Sequence, residues 1–391
     1  MVRSSPSLWQ RICAVFVLNS RPELKELFSF SLLFSFAFAL IIIFEPVFFY
    51  QQGFSLAHIA GYYALHYLTY VLALPFGGKF AARFGLERSL AVSTPIYVLY
   101  FLMLAAMPTW PVLFWLSPWL LTLHKIFYWP AYHAHFAKFT DHKNRGTEQS
   151  WMRLIIYGTG IFGPLIGGSI AFTFGFPTLF VVAACTVLLA GIPLLKTQER
   201  FRIVSFPYTA AWKIIVHSRH RRMVLAMCGW ADDLVYLVFW PLWLYLILGT
   251  TEALGLVASA AMVVMTLLGF LVGELIDRHS ARKVLRWATP FVVVANIIKP
   301  WAVTPLRVLF ANIFVQTANT YMVLPFTTQL YINAKRSGAL AYALAFETVL
   351  AIAKATMAIG LVILFLNVAP ETGLHIAFWI AAAISLLYGV L

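Results

Sequence analysis

The chain has 391 residues, 62% of them hydrophobic and only 11% charged, with a mean hydropathy of +0.84. A soluble domain is closer to half apolar and a quarter charged, so this composition excludes a globule surrounded by water. The net charge of +14 would suit nucleic acid, but the basic residues sit in short tracts between apolar runs of about 20 residues, the length of a membrane-crossing helix, and no nucleic-acid partner is expected.

Taken in chain order, residues 1–26 form an N-terminal segment in which 7–18 can lie as an interfacial helix. No clear small-residue cleavage site follows, so no cleaved signal peptide is expected. Apolar windows then fall near 27–50, 56–78, 89–107, 111–137, 151–173, 177–195, 223–247, 254–276, 284–303, 306–330, 339–366 and 373–391. Strands of a membrane barrel would be about 10 residues long with alternating polarity, so twelve helices are expected instead. The basic stretch 196–222 separates a bundle at 27–195 from one at 223–391. Within it, Pro207–Val216 reads either as a short helix on an anionic leaflet or as plain linker. Cys13, Cys185 and Cys228 follow no metal or disulfide spacing.

Place the N-terminus and the loops after even-numbered spans on one side. That side then holds 23 of the 28 lysines and arginines, from Arg3 to Arg336, while the opposite loops hold only Arg307. Positive loops stay cytoplasmic, which predicts a multi-pass protein of the inner membrane with both termini inside.

The two halves match at one offset, 195 residues. Pro46 pairs with Pro241, Tyr50 with Tyr245, Gly78 with Gly273, Arg83 with Arg278 and Pro130 with Pro325. Apolar stretches would pair in any membrane protein, but prolines and arginines holding one offset mark a duplicated six-span unit. The loop "GGKFAARFGLER" (Gly78, Arg83, Gly85, Arg88) and its counterpart "GELIDRHSARK" (Gly273, Asp277, Arg278, Arg282, Lys283) resemble the signature loop of the major facilitator superfamily. "GPLIGG" (Gly163, Pro164, Gly167, Gly168) resembles its antiporter-associated motif. "FYWPAYHAHFAKFTDHKNRG" is similar to the end of span 4 and the following loop in many bacterial members, and the resemblance is nearest the drug:proton antiporter-like branch.

The resemblance implies two six-helix bundles related by a pseudo-two-fold axis, with the substrate held near the midplane between them. It implies that Asp277 caps the start of span 5 near Gln149–Met152, where free N–H groups favour a carboxylate. Ala82 stands at the matching place in the first copy, so the first latch lacks its acid. It also implies that spans 1, 4, 7 and 10 line the cavity.

Ionisable groups at bilayer depth are costly and face a cavity or a partner. Here they are Glu45, Asp232, Asp233 and Glu347, with Lys125, Arg153, Lys299 and Lys354. Lys299 sits near an outer end and is expected to snorkel. The candidate cavity comprises Glu45, His124, Lys125, Tyr128, Trp129, Asp232, Asp233 and Trp240. Asn312, Gln316, Asn319 and Thr320 join it, since they share one helical face of span 10 and either line the cavity or bond a neighbouring helix. Asp232, Asp233, Glu347 and Glu45 are the candidate proton carriers, and Glu347 and Lys354 stand two turns apart on nearly one face. His133 and His135 point too far apart to chelate one metal, and His124 and His135 are roughly 16 Å apart along the helix, so neither metal nor cofactor is expected. No nucleotide-binding loop appears, which excludes ATP as the driver. The expected partners are the lipid bilayer, a small amphipathic substrate and protons, the expected state is a monomer, and an enzyme is not expected. The leading reading is proton-coupled efflux by alternating access. Its rivals are an importer or uniporter of a sugar, metabolite or lipid, and a transport-dead sensor.

Overall fold

The computed structural model describes residues 22–139, 145–194 and 208–391, with side chains described for 29–135, 155, 157–193, 208–268 and 278–391. Among these residues there is no strand. The helices are α1 (Pro22–Ile41), α2 (Glu45–Gln51), α3 (Leu56–Phe84), α4 (Leu86–Ala106), α5 (Leu113–Phe139), α6 (Arg145–Phe174), α7 (Phe176–Leu194), α8 (Tyr208–Val216), α9 (Arg221–Gly229), α10 (Trp240–Leu248), α11 (Thr251–Arg278), α12 (Ala281–Ile298), α13 (Pro305–Ser337), α14 (Ala339–Asn367) and α15 (Pro370–Ser385).

Each of the twelve predicted windows falls on one of these helices or on a helical run. By length and composition, seven helical runs among the described residues are apolar enough to cross a membrane, Ser29–Gln51 and Ala339–Asn367 being the most hydrophobic. Helices α3, α5 and α13 are long enough, at 29, 27 and 33 residues, but tyrosine, histidine, threonine, asparagine and glutamine interrupt their apolar sequence. Those polar residues mostly face other helices. The outward faces carry large bare apolar side chains such as Leu72, Phe76, Leu267 and Leu366. A hydrocarbon surround is the solvent that tolerates them.

Two helices break at equivalent points. Span 1 turns at residues 42–44 and restarts at Glu45–Pro46. Span 7 passes from α9 through a 3₁₀ turn at Trp230–Asp232 and a π turn at Val235–Phe239 before restarting at Trp240–Pro241. Proline lacks the N–H that would bond four residues back, so each proline is tolerated in the first turn of a new helix. The breaks place Glu45 at the start of the restarted helix and Asp232–Asp233 at the irregular turns of span 7.

The halves meet along α3 with α14 and along α6 with α11. The second contact depends on glycine. A Cβ on Gly168 would run into the Thr251 carbonyl, and one on Gly255 into the Pro164 carbonyl. Gly163 and Gly167 admit Ala39 and Leu40 of α1 in the same way. Small residues at such crossings let helix backbones touch. Gly168→Val is therefore expected to lower stability in detergent by about 1–3 kcal/mol, the usual cost of overpacking. Gly360→Ala, whose added methyl meets nothing within 4 Å, serves as the control. Equal melting temperatures for the two variants would show that the α6–α11 contact is loose.

Helix α8 lies in the predicted linker and packs against α14, burying Ala211 and Ile214 while Trp212 and Val216 stay exposed.

Candidate functional site

The polar interior is organised by a stripe that the sequence reading passed over. Tyr63, Tyr67 and Tyr70 stand at i, i+4 and i+7 on α3, hence on one face. Tyr63 donates to Glu45 Oε1 at 2.8 Å, and Tyr70 donates to Glu347 Oε2 at 2.9 Å. Between them, the Tyr67 ring has Lys125 Nζ at 5.3 Å and Lys354 Nζ at 5.5 Å from its centre, within range of cation–π attraction.

Each membrane acid has a distinct set of partners. Glu45 is buried within the N-terminal half, where Tyr100 also donates to it at 2.8 Å and Tyr62 and Ser117 extend the network. Asp232 accepts from Tyr388 at 2.7 Å and from Ser385 at 2.8 Å. Asp233 pairs with Lys354 at 2.6 Å, both side chains being mostly buried. Glu347 accepts from Tyr70, and its other oxygen lies 3.2 Å from His133 Nε2. The Nδ1 of that imidazole is 3.0 Å from the Tyr331 hydroxyl.

One sequence expectation changes here. Lys299 does not snorkel. It is 1% exposed, donates to Asn296 Oδ1 at 2.6 Å and is ringed by Tyr236, Trp240 and Phe378. Asn296 in turn donates to Ser385, which links the lysine to Asp232. A partner amide and three ring faces hold the ammonium better than a long reach to the interface. Glu347 and Lys354 share helix α14 but serve different neighbours, Glu347 bonding the N-terminal half and Lys354 bonding Asp233 of its own half.

The remaining predicted cavity residues divide by direction. On α5, Lys125, Trp129 and His133 follow i, i+4 and i+8 and share the face turned to the other half, since His133 reaches Glu347 and Tyr331. His124 and Tyr128 turn instead toward their own bundle. His124 donates to the Ser93 carbonyl and stacks on Tyr97 with centroids 4.0 Å apart, and Tyr128 stacks on Phe34. On α13, Asn312 accepts from Trp240 and donates to the Val257 carbonyl, while Gln316 accepts from Tyr236 at 2.6 Å. Thr320 bonds back to the Gln316 carbonyl, and Asn319 is half-buried beside it. Asn312 and Gln316 of this stripe thus tie helices of one half together.

Of the loop residues, Gly78 and Gly85 are buried while Arg83, Arg88, Arg278, Arg282 and Lys283 are exposed, and Gly85 adopts φ 108° to end α3. Arg83 lies over Phe84 and Lys283 over Trp287. The close approach in the first loop belongs to Gly77, whose Cβ would meet the Ile126 carbonyl of α5. The side chains of the latch assigned to Asp277 and Gln149–Met152 lie outside those described, as do those around Gly273 and Arg153. Among the described residues no cluster of histidine, cysteine and acids could hold a metal.

Paired helix breaks, glycine-mediated contacts and charges between two halves are the features of a membrane carrier. Residues 27–355 match the family model of the Major Facilitator Superfamily, and the chain belongs to that superfamily. It is a multi-pass secondary transporter. Its structure is similar to that of a mutant of the nucleoside transporter NupG, with a TM-score of 0.69 over 94% of this chain and 98% of that one at 12% sequence identity. No curated protein sequence matches it.

Proposed function

We propose that the protein is a proton-coupled carrier of a small amphipathic molecule, working by alternating access, and that Glu347 takes the coupling proton. The choice of Glu347 rests on one observation. Glu45, Asp232 and Asp233 each bond within their own half, whereas Glu347 bonds Tyr70 and His133 across the boundary. A rocking motion that separates the halves removes those partners from Glu347 and leaves the partners of the other three acids in place. A carboxylate that loses its donors in a low-dielectric cleft gains a reason to take up a proton. The proton and the conformation are thereby linked.

We place both termini in the cytoplasm, so that the Glu347 contact closes the cleft on that side of the inner membrane and Asp277 adds a loop latch to it. Export is the favoured direction, on the likeness of Gly163–Gly168 to the antiporter motif and the packing of that run against α1 and α11.

The test is flux into proteoliposomes under an imposed pH gradient, using labelled amphipathic compounds with uridine as a nucleoside probe. Accumulation in the wild type that a protonophore collapses, and that Glu347→Gln converts to gradient-independent equilibration, is the expected result. Wild-type flux that ignores the gradient would instead support a uniporter. An absence of flux together with ligand-dependent changes in accessibility would support a sensor.

A further inference from the structure

We infer that the molecule held between the halves is an organic anion with an apolar body, and that Lys125 receives its charged group. The inference rests on the transport reading above and adds the sign of the substrate, which four acids and four bases in the sequence leave open.

Among the described residues, every membrane charge but one is hydrogen-bonded or ion-paired to a protein group. Glu45 has two tyrosine donors, Asp232 has Ser385 and Tyr388, and Glu347 has Tyr70 and His133. Lys354 has Asp233, and Lys299 has Asn296 and three aromatic faces. Lys125 has the Tyr67 ring, with no hydrogen bond and no ion pair to a described residue. Glu45 lies within its electrostatic reach, but no hydrogen bond or ion pair joins the two, and Tyr63 and Tyr100 each donate to one oxygen of that carboxylate. A ring face offsets only part of the cost of holding an ammonium at bilayer depth.

The direction of Lys125 matches this vacancy in its coordination. It shares the face of α5 that carries His133 to the other half, and its ring partner Tyr67 also contacts Lys354 of that half. The ammonium therefore points into the boundary between the halves and not into the packing of its own bundle. A carboxylate arriving there would meet Lys125 directly and would have the second ammonium across the same ring. Trp129, one turn along and half-buried, offers an apolar surface for the rest of the molecule. A cation would find each described membrane carboxylate already bonded to protein donors or paired with Lys354.

The experiment is calorimetric binding to the purified full-length protein in detergent, using 4-phenylbutyrate, 4-phenylbutanamide and 4-phenylbutylamine. The three share one apolar body and differ in charge. The acid is expected to bind about tenfold tighter than the amide, equivalent to roughly 1.4 kcal/mol, and the amine weakest. Lys125→Gln should erase the preference for the acid, and Lys125→Arg should keep it. Equal binding of acid and amide, preference for the amine, no binding by any of the three, or an acid preference that survives Lys125→Gln would each overturn the inference. If Lys125→Gln does not fold, the wild-type ranking decides. Acid selectivity without flux in proteoliposomes would sink the transport reading alone, and flux of neutral compounds without acid selectivity would sink this one alone.

Discussion

Lys354→Met is expected to destabilise the protein by about 3–5 kcal/mol, because removing one partner of a buried ion pair leaves the other charge uncompensated. The charge left behind is Asp233, which the lysine contacts at 2.6 Å. Asp233→Asn alone should cost a similar amount by stranding the ammonium. The double variant should recover most of either loss, since a neutral amide facing a thioether leaves no bare charge in the membrane. Thermal unfolding in detergent of the wild type, the two single variants and the double variant completes the cycle. Strictly additive losses would mean that the two side chains do not act as a pair. The double variant also separates stability from transport, because it retains Glu347 and Lys125. If it folds and transports, the Asp233–Lys354 pair is scaffold.

Glu347→Ala is expected to open the end of the cleft that carries His133. It removes two contacts that span the boundary, one to Tyr70 at 2.9 Å and one to His133 at 3.2 Å. Bonds to a charged group are worth about 1.5–3 kcal/mol each. Partial replacement by water and the surviving contact between His133 and Tyr331 reduce the net change, so a shift of about tenfold to a hundredfold in the open population follows. A cysteine placed by Ala343→Cys, one turn before Glu347 on the same helix and buried, reports the opening. In a background without the native cysteines, its maleimide labelling should accelerate by about tenfold or more in Glu347→Ala. An unchanged rate would show that α3 and α14 hold that end shut without the carboxylate.

The gross fold was legible because the bilayer imposes a length and an apolar composition on every crossing segment. The helix breaks at Pro46 and Pro241 were legible in kind, since proline carries its effect in its own covalent structure. Partner choice was not. Glu347 and Lys354 stand two turns apart on one helix, and periodicity placed them together, yet which neighbour each meets depends on how α14 packs against α3, α5 and the broken span 7. Lys299 was misread for a related reason. Its position near a helix end suggested an interface, while the rings that enclose it come from residues 63, 59 and 79 places away in the chain. The stripe Tyr63–Tyr67–Tyr70 was readable in principle. Hydroxyls at i, i+4 and i+7 in a membrane helix need acceptors, and two of the three, Tyr63 and Tyr70, find them in the carboxylates Glu45 and Glu347.

The matched breaks in spans 1 and 7 show how much of the duplication survives in the backbone, and the charges show how little survives in the side chains. At the 195-residue offset Glu45 faces Trp240, Lys125 faces Thr320 and His133 faces Thr328. At the end of the cleft away from Glu347, the halves are joined by a neutral bond from Gln51 to Tyr245 at 2.7 Å and by the glycine crossing of α6 and α11. The two mouths of a symmetric frame are therefore secured by different chemistry. One mouth is held through a carboxylate, and the described contacts of the other contain none. Under the proposed coupling through Glu347, a near-symmetric hinge becomes a one-sided valve, in which the compartment that supplies the proton is distinguished from the compartment that does not.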